Sequence, residues 1–250
     1  MRLLVISSSS KGNAFALDSG EEILLVEAGV PFRTLQKTIK YQTDKVVGCL
    51  LSHVHSDHSK YAEDYTKHGI KMFCNEDVAS KKNFPFGMCL VLNESKTFSL
   101  GEFRVMPFGV NHSNNDGSIC PSFGYLIRHK DCGTILFALD SYKFDFYVLG
   151  VDHWLIEANY DDRILKANVS DGRIDRAQAN RLMLSHMSID NTIHYLKECH
   201  AEQSKTITLC HLSERNSNPD DFKSRVAGEF GVPTYIAEKN TIVELSKDLI

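Results

Sequence analysis

The sequence predicts an α/β chain in which two β-sheets are covered by helices. Three observations predict it. Short β-prone runs crowd the first third of the chain, helical patterns occur in both halves and alternate with strands toward the C-terminus, and no Rossmann glycine fingerprint is present. No Pro/Gly/Ser linker divides the 250 residues, and no clear repeat recurs along them. One domain spanning residues 1–250 is expected.

Strands are expected over residues 2–6, 14–17 and 22–27, separated by Ser/Gly/Asn turns and by Asp18-Ser19-Gly20. Pro31 opens a helical pattern with Phe32, Leu35 and Ile39 on one face, and the fixed φ of proline suits a first helical position. Residues 46–51 form a continuous apolar run, the pattern of a buried strand. A helix is expected from about Lys60 to His68, then a strand at 71–74 and a short helix near Asn75. Further strands are expected at Phe103–Val110, 123–128, 134–139 and 153–158. The C-terminal part alternates helices near 175–184, 190–200 and 220–230 with strands at Thr206–Cys210 and 233–237.

Hydrophobic residues are 42% and charged residues 24%, close to the globular average, which excludes disordered and fibrous classes. Thirty-two acids against 28 bases give a net charge of -4, so a chain-wide basic field for non-specific DNA binding is absent, while a local basic patch remains compatible. No apolar run approaches the roughly 18 residues of a membrane helix. Met1-Arg2-Leu3-Leu4-Val5-Ile6 turns polar too soon for a signal peptide and reads as a first strand. The seven cysteines are odd in number and without Cys-x-x-Cys spacing, so they are expected to be reduced core thiols in a cytoplasmic protein.

The strongest chemical signal is His53-Val54-His55-Ser56-Asp57-His58, four potential ligands within six residues directly after a buried strand. In extended chain His53 and His55 point the same way, and a tight turn brings Asp57 and His58 back toward them. Imidazole with carboxylate suits Zn, Mn or Fe(II). The competing reading is a polar loop or a cluster capping the next helix. His112, Asp140 and His211 also stand at the ends of expected strands. Each alone reads as a loop or capping residue; together, behind the first cluster, they read as further ligands.

These residues resemble the metallo-β-lactamase superfamily, whose His-x-His-x-Asp-His motif matches His53 to His58 and whose later ligands follow in the order of His112, Asp140 and His211. Ser8-Ser9-Ser10-Lys11-Gly12-Asn13, Glu27-Ala28-Gly29, Glu157-Ala158-Asn159, His186-Met187-Ser188 and His211-Leu212-Ser213 are similar to its bacterial YycJ/WalJ-like branch. The resemblance implies a four-layer αββα sandwich with two divalent ions, Zn or Mn, at one edge. It implies one ion on His53, His55 and His112, another on Asp57, His58 and His211, and Asp140 bridging them. Asp57 counts among the catalytic residues as well as the ligands. Histidine at 55, where the redox diiron branch carries glutamate, favours a hydrolytic site with a metal-bridging hydroxide. Two positions depart from the branch: Glu27 replaces its usual aspartate, and Tyr160 replaces a usual histidine. The extra methylene of Glu27 would shift a contact behind the ligand loop.

Glu157 and His186 resemble the acid–histidine pair of tRNA 3′-processing and cyclic-phosphodiesterase branches, which protonates the leaving oxygen. A phosphodiester leaving alkoxide is strongly basic and needs such an acid. The plainer reading makes Glu157 a buried sheet-end acid and His186 a loop residue before a helix capped by Ser188. Ser7 to Asn13 could present N–H groups to a phosphate, but a tight β-turn is the better reading. Ser213, Arg215 and Asn216 read as substrate contacts or a solvated loop. Lys60, Lys67, Lys81 and Lys82 read best as solvated helix faces.

The expected function is a dinuclear metal-dependent phosphodiesterase or nuclease, with exonuclease action implied by the branch. The alternatives are a cyclic-nucleotide or other small phosphodiester substrate; then a lactam, lactone or thioester, where the Glu–His pair would be idle; then a non-enzymatic role. Only 16 residues separate Asp140 from Glu157, too few for the tRNA-gripping arm of the tRNA-processing branch. The expected partner is a nucleic acid or small phosphodiester and not a membrane; a homo-oligomer would supply extra substrate surface.

Overall fold

The computed structural model describes residues 1–114 and 116–247. The first sheet contains β1 (Arg2–Ser9), β2 (Gly12–Asp18), β3 (Ile23–Val26), β4 (Val46–Leu50), β5 (Met72–Cys74) and β6 (Cys89–Val91). Between them lie α1 (Phe32–Thr38), α2 (Ser56–Ser59), α3 (Ala62–Lys67) and α4 (Glu76–Lys81). The second sheet contains β7 (Phe98–Leu100), β8 (Phe103–Val110), β9 (Ser122–His129), β10 (Gly133–Ala138) and β11 (His153–Glu157). After α5 (Asp162–Ser170), α6 (Arg176–Ser185) and α7 (Ile189–Glu198) it gains β12 (Thr206–Cys210), and after α8 (Pro219–Phe230) it gains β13 (Thr234–Ile236). The chain then returns to the first sheet as β14 (Ile242–Glu244).

The strand orders are β14-β1-β2-β3-β4-β5-β6 and β13-β12-β11-β10-β9-β8-β7. Each sheet is half antiparallel and half parallel: β3 to β6 run parallel in the first, β10 to β13 in the second. Parallel strands require crossovers; helices supply them except between β10 and β11, which the irregular segment 139–152 joins.

Period-2 alternation explains the layering, because both faces of most strands are apolar. Leu3, Val5, Leu24 and Val26 point inward and meet Phe103, Tyr125, Phe137 and Leu155 of the second sheet. Their neighbours Leu4, Ile6, Ile23 and Leu25 point outward, under Phe32 and Leu35 of α1 and Tyr65 of α3. Trp154, Ile156, Ile207 and Leu209 do the same for the second sheet, under Leu196 of α7 and Phe222 and Val226 of α8. Helix, sheet, sheet, helix is the expected αββα sandwich.

Several expected boundaries move. Pro31 caps α1 from outside it, with ψ of 142°, and Ile39 is the residue that ends the helix. The helix expected from Lys60 is preceded by α2, which begins inside the histidine motif. Helix α5 was not expected at all, although the Asp161 side chain caps it by accepting from the N–H groups of Arg163 and Ile164. Strands β6, β7 and β14 are three residues each, too short to show a period. All seven cysteines are free and six are buried; Cys210 faces the core between the sheets.

Candidate metal centre

The carboxyl ends of β4, β10, β11 and β12 lie on one edge of the sandwich: Glu157 is the last residue of β11, and His53, Asp140 and His211 follow the other three within three residues. Backbone turns aim them. Asp140 has φ of 52° and His211 of 55°, left-handed values that cost non-glycine residues on the order of 1–3 kcal/mol and persist where surrounding structure enforces them.

All seven predicted ligands converge. His53, His55, His112 and Asp140 can each present one ligand atom within 4.8 Å of the others, and so can Asp57, His58, Asp140 and His211. Asp140 belongs to both groups. Its Oδ2 lies 3.1 Å from His58 Nε2, 3.6 Å from His53 Nε2 and 3.8 Å from His112 Nε2, and its Oδ1 lies 3.1 Å from His211 Nδ1. His211 Nε2 stands 3.5 Å from Asp57 Oδ2.

The other ring nitrogens are held from behind. Ser52 Oγ is 2.9 Å from His53 Nδ1, Asn114 Oδ1 is 3.0 Å from His55 Nε2, and the Ser185 carbonyl is 3.1 Å from His112 Nδ1. Such contacts fix tautomer and ring orientation in metal sites. His53 Nε2 and His211 Nε2 are buried with no hydrogen-bond partner among the described residues. Unpaired buried imidazole nitrogens aimed at shared carboxylates are the donor set a divalent cation satisfies, so the residues fit one.

Burial lowers His53, with the neighbouring imidazoles adding to it, and lowers His112 to about 4. Burial acts the same way on His58 and His211, but the carboxylates outweigh it. Asp140 and Glu27 raise His58, while Asp140, Asp57 and Glu157 push His211 up to about 10. His53 and His112 thus favour neutral imidazole, while His58 and His211 sit in charge-matched contacts with carboxylates.

Glu157 is buried at the end of β11. His186 Nδ1 donates to its Oε1 at 2.6 Å, and the His186 side chain remains 20% exposed. Glu157 Oε2 accepts from the Ser141 and Met187 N–H groups. Ser188 caps α7, as expected. Glu157, His186, His211 and Asp140 also form a third compact group, but Glu157 is already engaged by His186 and these backbone donors.

Glu27, the first departure, reaches the ligand motif despite its extra methylene. From φ of 67° its Oε1 lies 3.2 Å from His58 Nδ1, and Oε2 accepts from Ser52 N–H. Tyr160, the second, is buried with Leu165, Ile174 and Ala179, and its ring takes no place among the ligands.

Glu27 apart, sequence reasoning missed the residues that position the ligands. The Ser7 to Asn13 stretch is a tight hairpin in which Ser9 pairs with Gly12. Its functional residue is buried Asn13, whose Nδ2 lies 3.2 Å from Asp57 Oδ2 and 3.0 Å from His58 Nε2. Lys81 pairs with Asp77, and Lys60 lies over the Tyr61 ring.

No family model matches the chain. It is 26% identical over 235 residues to "Exodeoxyribonuclease WalJ" of Streptococcus pneumoniae, covering 85% of this chain and 82% of that protein. Among solved structures, the metallo-β-lactamase fold protein YhfI from Bacillus subtilis superposes with a TM-score of 0.75 at 17% identity, over 97% of this chain and 99% of that one. Zn(2+)-bound PqqB from Methylobacterium extorquens superposes with a TM-score of 0.72 at 12% identity, over 98% and 100%.

Proposed function

We infer that this chain, a metallo-β-lactamase-fold protein similar in sequence to the WalJ/YycJ-like branch, is a metal-dependent phosphodiesterase acting on nucleic acid. The observation that carries the reading is the Glu157–His186 contact of 2.6 Å at the rim of the ligand cluster. A thioester releases a thiolate that departs unprotonated, whereas a nucleoside alkoxide is strongly basic and calls for a carboxylate-backed proton donor such as this pair. The exonuclease name of the pneumococcal relative supports the same substrate class.

His53, His55 and His112 would hold one divalent ion and Asp57, His58 and His211 another, with Asp140 between them; residues 1–250 serve as one domain. Zinc or manganese bound there would supply Lewis-acid stabilisation of phosphoryl charge and a water made acidic enough to attack at neutral pH. The chain's own residues do the rest. Asn13 and Glu27 hold the Asp57–His58 turn in place. Glu157 accepts from His186 Nδ1–H and favours the imidazolium form, whose Nε2–H would supply the proton to the departing oxygen. No helix among the described residues is long and apolar enough to cross a membrane, and the free cysteines suit a reducing compartment such as the cytoplasm.

The test is a panel with metal-reconstituted protein: bis-p-nitrophenyl phosphate, end-labelled DNA and RNA, cyclic nucleotides and nitrocefin. Cleavage of the phosphodiesters with little action on nitrocefin is expected. The opposite preference would move the assignment to lactam or ester hydrolysis, and action on cyclic nucleotides alone would move it to small substrates.

A further inference from the structure

Beyond His186 and His211 the ligand basin opens into a cavity of about 450 Å³. One wall is α6, through Gln178 and Leu182; the other is the loop after β12, through Ser213, Arg215 and Asn216; Ile174 adds a second apolar group. The walls are fixed in advance. Ile174 and Leu182 belong to the cluster around Tyr160 and Leu165. Asn168 Nδ2 donates to the Arg215 carbonyl and to Asn216 Oδ1, and Ser213 N–H donates to the Asn159 carbonyl. The loop is therefore anchored through its backbone, and the exposed Arg215 side chain takes no part in that anchoring.

A second cavity of about 490 Å³ follows, bounded by Asn168, Arg173, Ile174 and Arg215. Ile174 and Arg215 border both cavities, so a path leads from His186 past one arginine toward another. The one carboxylate on the first cavity, Glu214, is paired with Lys11 at 2.6 Å, which offsets its charge.

We propose that the first cavity is the subsite for the nucleoside carrying the leaving oxygen, and that Arg215 binds the next phosphate of the departing strand. The proposal rests on the phosphodiesterase reading above. If His186 protonates the leaving oxygen, the group attached to that oxygen lies on the His186 side, and this cavity is there. Its volume falls within the roughly 300–1,000 Å³ of small-ligand sites. Ile174 and Leu182 offer an apolar face to a base of any identity, and the Gln178 amide meets its edge. A base can enter only unstacked, so the departing strand is single.

Arg215→Ala and Gln178→Ala, both at exposed positions, are compared with wild type in the metal-loaded protein. The substrates are a single-stranded trinucleotide and bis-p-nitrophenyl phosphate, whose leaving group has no base and no further phosphate. Arg215→Ala should raise KM for the trinucleotide about tenfold, the scale of one hydrogen bond to a charged group, with kcat nearly unchanged. Neither variant should alter hydrolysis of the p-nitrophenyl ester. Fluorescence anisotropy with a phosphorothioate trinucleotide gives a second readout: Arg215→Ala should flatten the slope of log affinity against log salt by about 0.7, and Arg215→Lys should keep it. A blunt duplex should be cleaved more slowly than the single strand. Equal losses on both substrates, an unchanged salt slope, or preference for the blunt duplex would each overturn the subsite. If wild type cleaves neither ester, the phosphodiesterase reading falls, and anisotropy decides on the cavity by itself.

Discussion

His186 Nδ1 donates to Glu157 Oε1 at 2.6 Å, and the same oxygen lies 3.2 Å from His211 Nδ1. One buried carboxylate thus stands behind both the proposed proton donor and a candidate ligand. The contact ties two roles that the sequence presents as separate, and the two partners should respond differently to substitution.

His186→Ala should lower the rate on DNA or RNA by about 10²–10⁴-fold, the usual worth of general acid catalysis, with metal content intact. On a p-nitrophenyl ester, whose leaving group departs unassisted, the defect should shrink. Glu157→Gln should give a smaller rate loss but also lower metal content, because His211 loses its backing. Rate assays on both substrates with elemental analysis of each variant check this; equal His186→Ala losses on the two would remove the donor role.

Asp140→Ala should lower both metal content and rate. Its two oxygens lie 3.1 Å from His58 and His211, on the carboxylate side of the cluster, and 3.6 Å from His53 on the other. Removal therefore leaves neither half intact and turns a buried acid–imidazole group into uncompensated polar atoms. Two ions per chain in the purified variant would argue against a shared ligand.

The residues legible in the sequence are those that crowd together in it. His53 to His58 puts four potential ligands after an apolar run, a pattern with few bland explanations. His112, Asp140 and His211 are readable only as polar residues at strand ends, and the resemblance gives them their order. Asn13, Ser52 and Asn114 were not legible, because an amide or hydroxyl in a loop looks the same whether it faces solvent or an imidazole. The layering was legible because alternate positions of each strand are apolar on both faces. Helix α5 was not, although its Asp161 cap was available to be read. The cavity beside His186 is assembled from α6 and a loop about 30 residues later, a proximity that only the fold creates.

Gly29→Ala should damage the centre without touching a ligand. A Cβ there would run into the Asp57 carbonyl oxygen and meet the Asn13 backbone nitrogen at 2.5 Å, both backbone atoms that cannot rotate away. The same turn holds the ligand motif: Ala28 N–H donates to the His58 carbonyl at 2.7 Å and Tyr61 N–H donates to the Ala28 carbonyl at 2.9 Å. The turn must shift, and Asp57 and His58 shift with it. A loss of about 1–3 kcal/mol of stability, the scale of overpacking, is expected together with weaker metal retention during dialysis. Thermal unfolding and metal content at wild-type levels would show that the turn does not position the ligands.

Away from the centre, His153 should make the fold acid-sensitive. It is buried at the start of β11, with Nδ1 2.8 Å from Thr206 Oγ1. Burial lowers its imidazole to about 4; Asp152 pulls the other way and Lys205 adds to the depression. In the unfolded chain the same group titrates near its ordinary value of about 6.5. Between these values the unfolded chain binds a proton that the folded chain refuses, so unfolding is favoured as pH falls. The contribution of neutral His153 is therefore complete above about pH 6.5 and declines as pH drops toward 4, by on the order of 3 kcal/mol across that window. His153→Gln keeps a hydrogen-bonding group for Thr206 and removes the titration. It should be less stable than wild type at pH 7.5, where the fitted imidazole is missed, and should lose less stability on going to pH 4.5. Urea unfolding of both proteins in chelator at the two pH values measures the difference, and the acid-labile ligand cluster, common to both, cancels in the comparison. Parallel losses in the two proteins would mean that His153 takes up its proton in the fold as readily as in the unfolded chain, and the acid sensitivity would have to be sought at the metal centre.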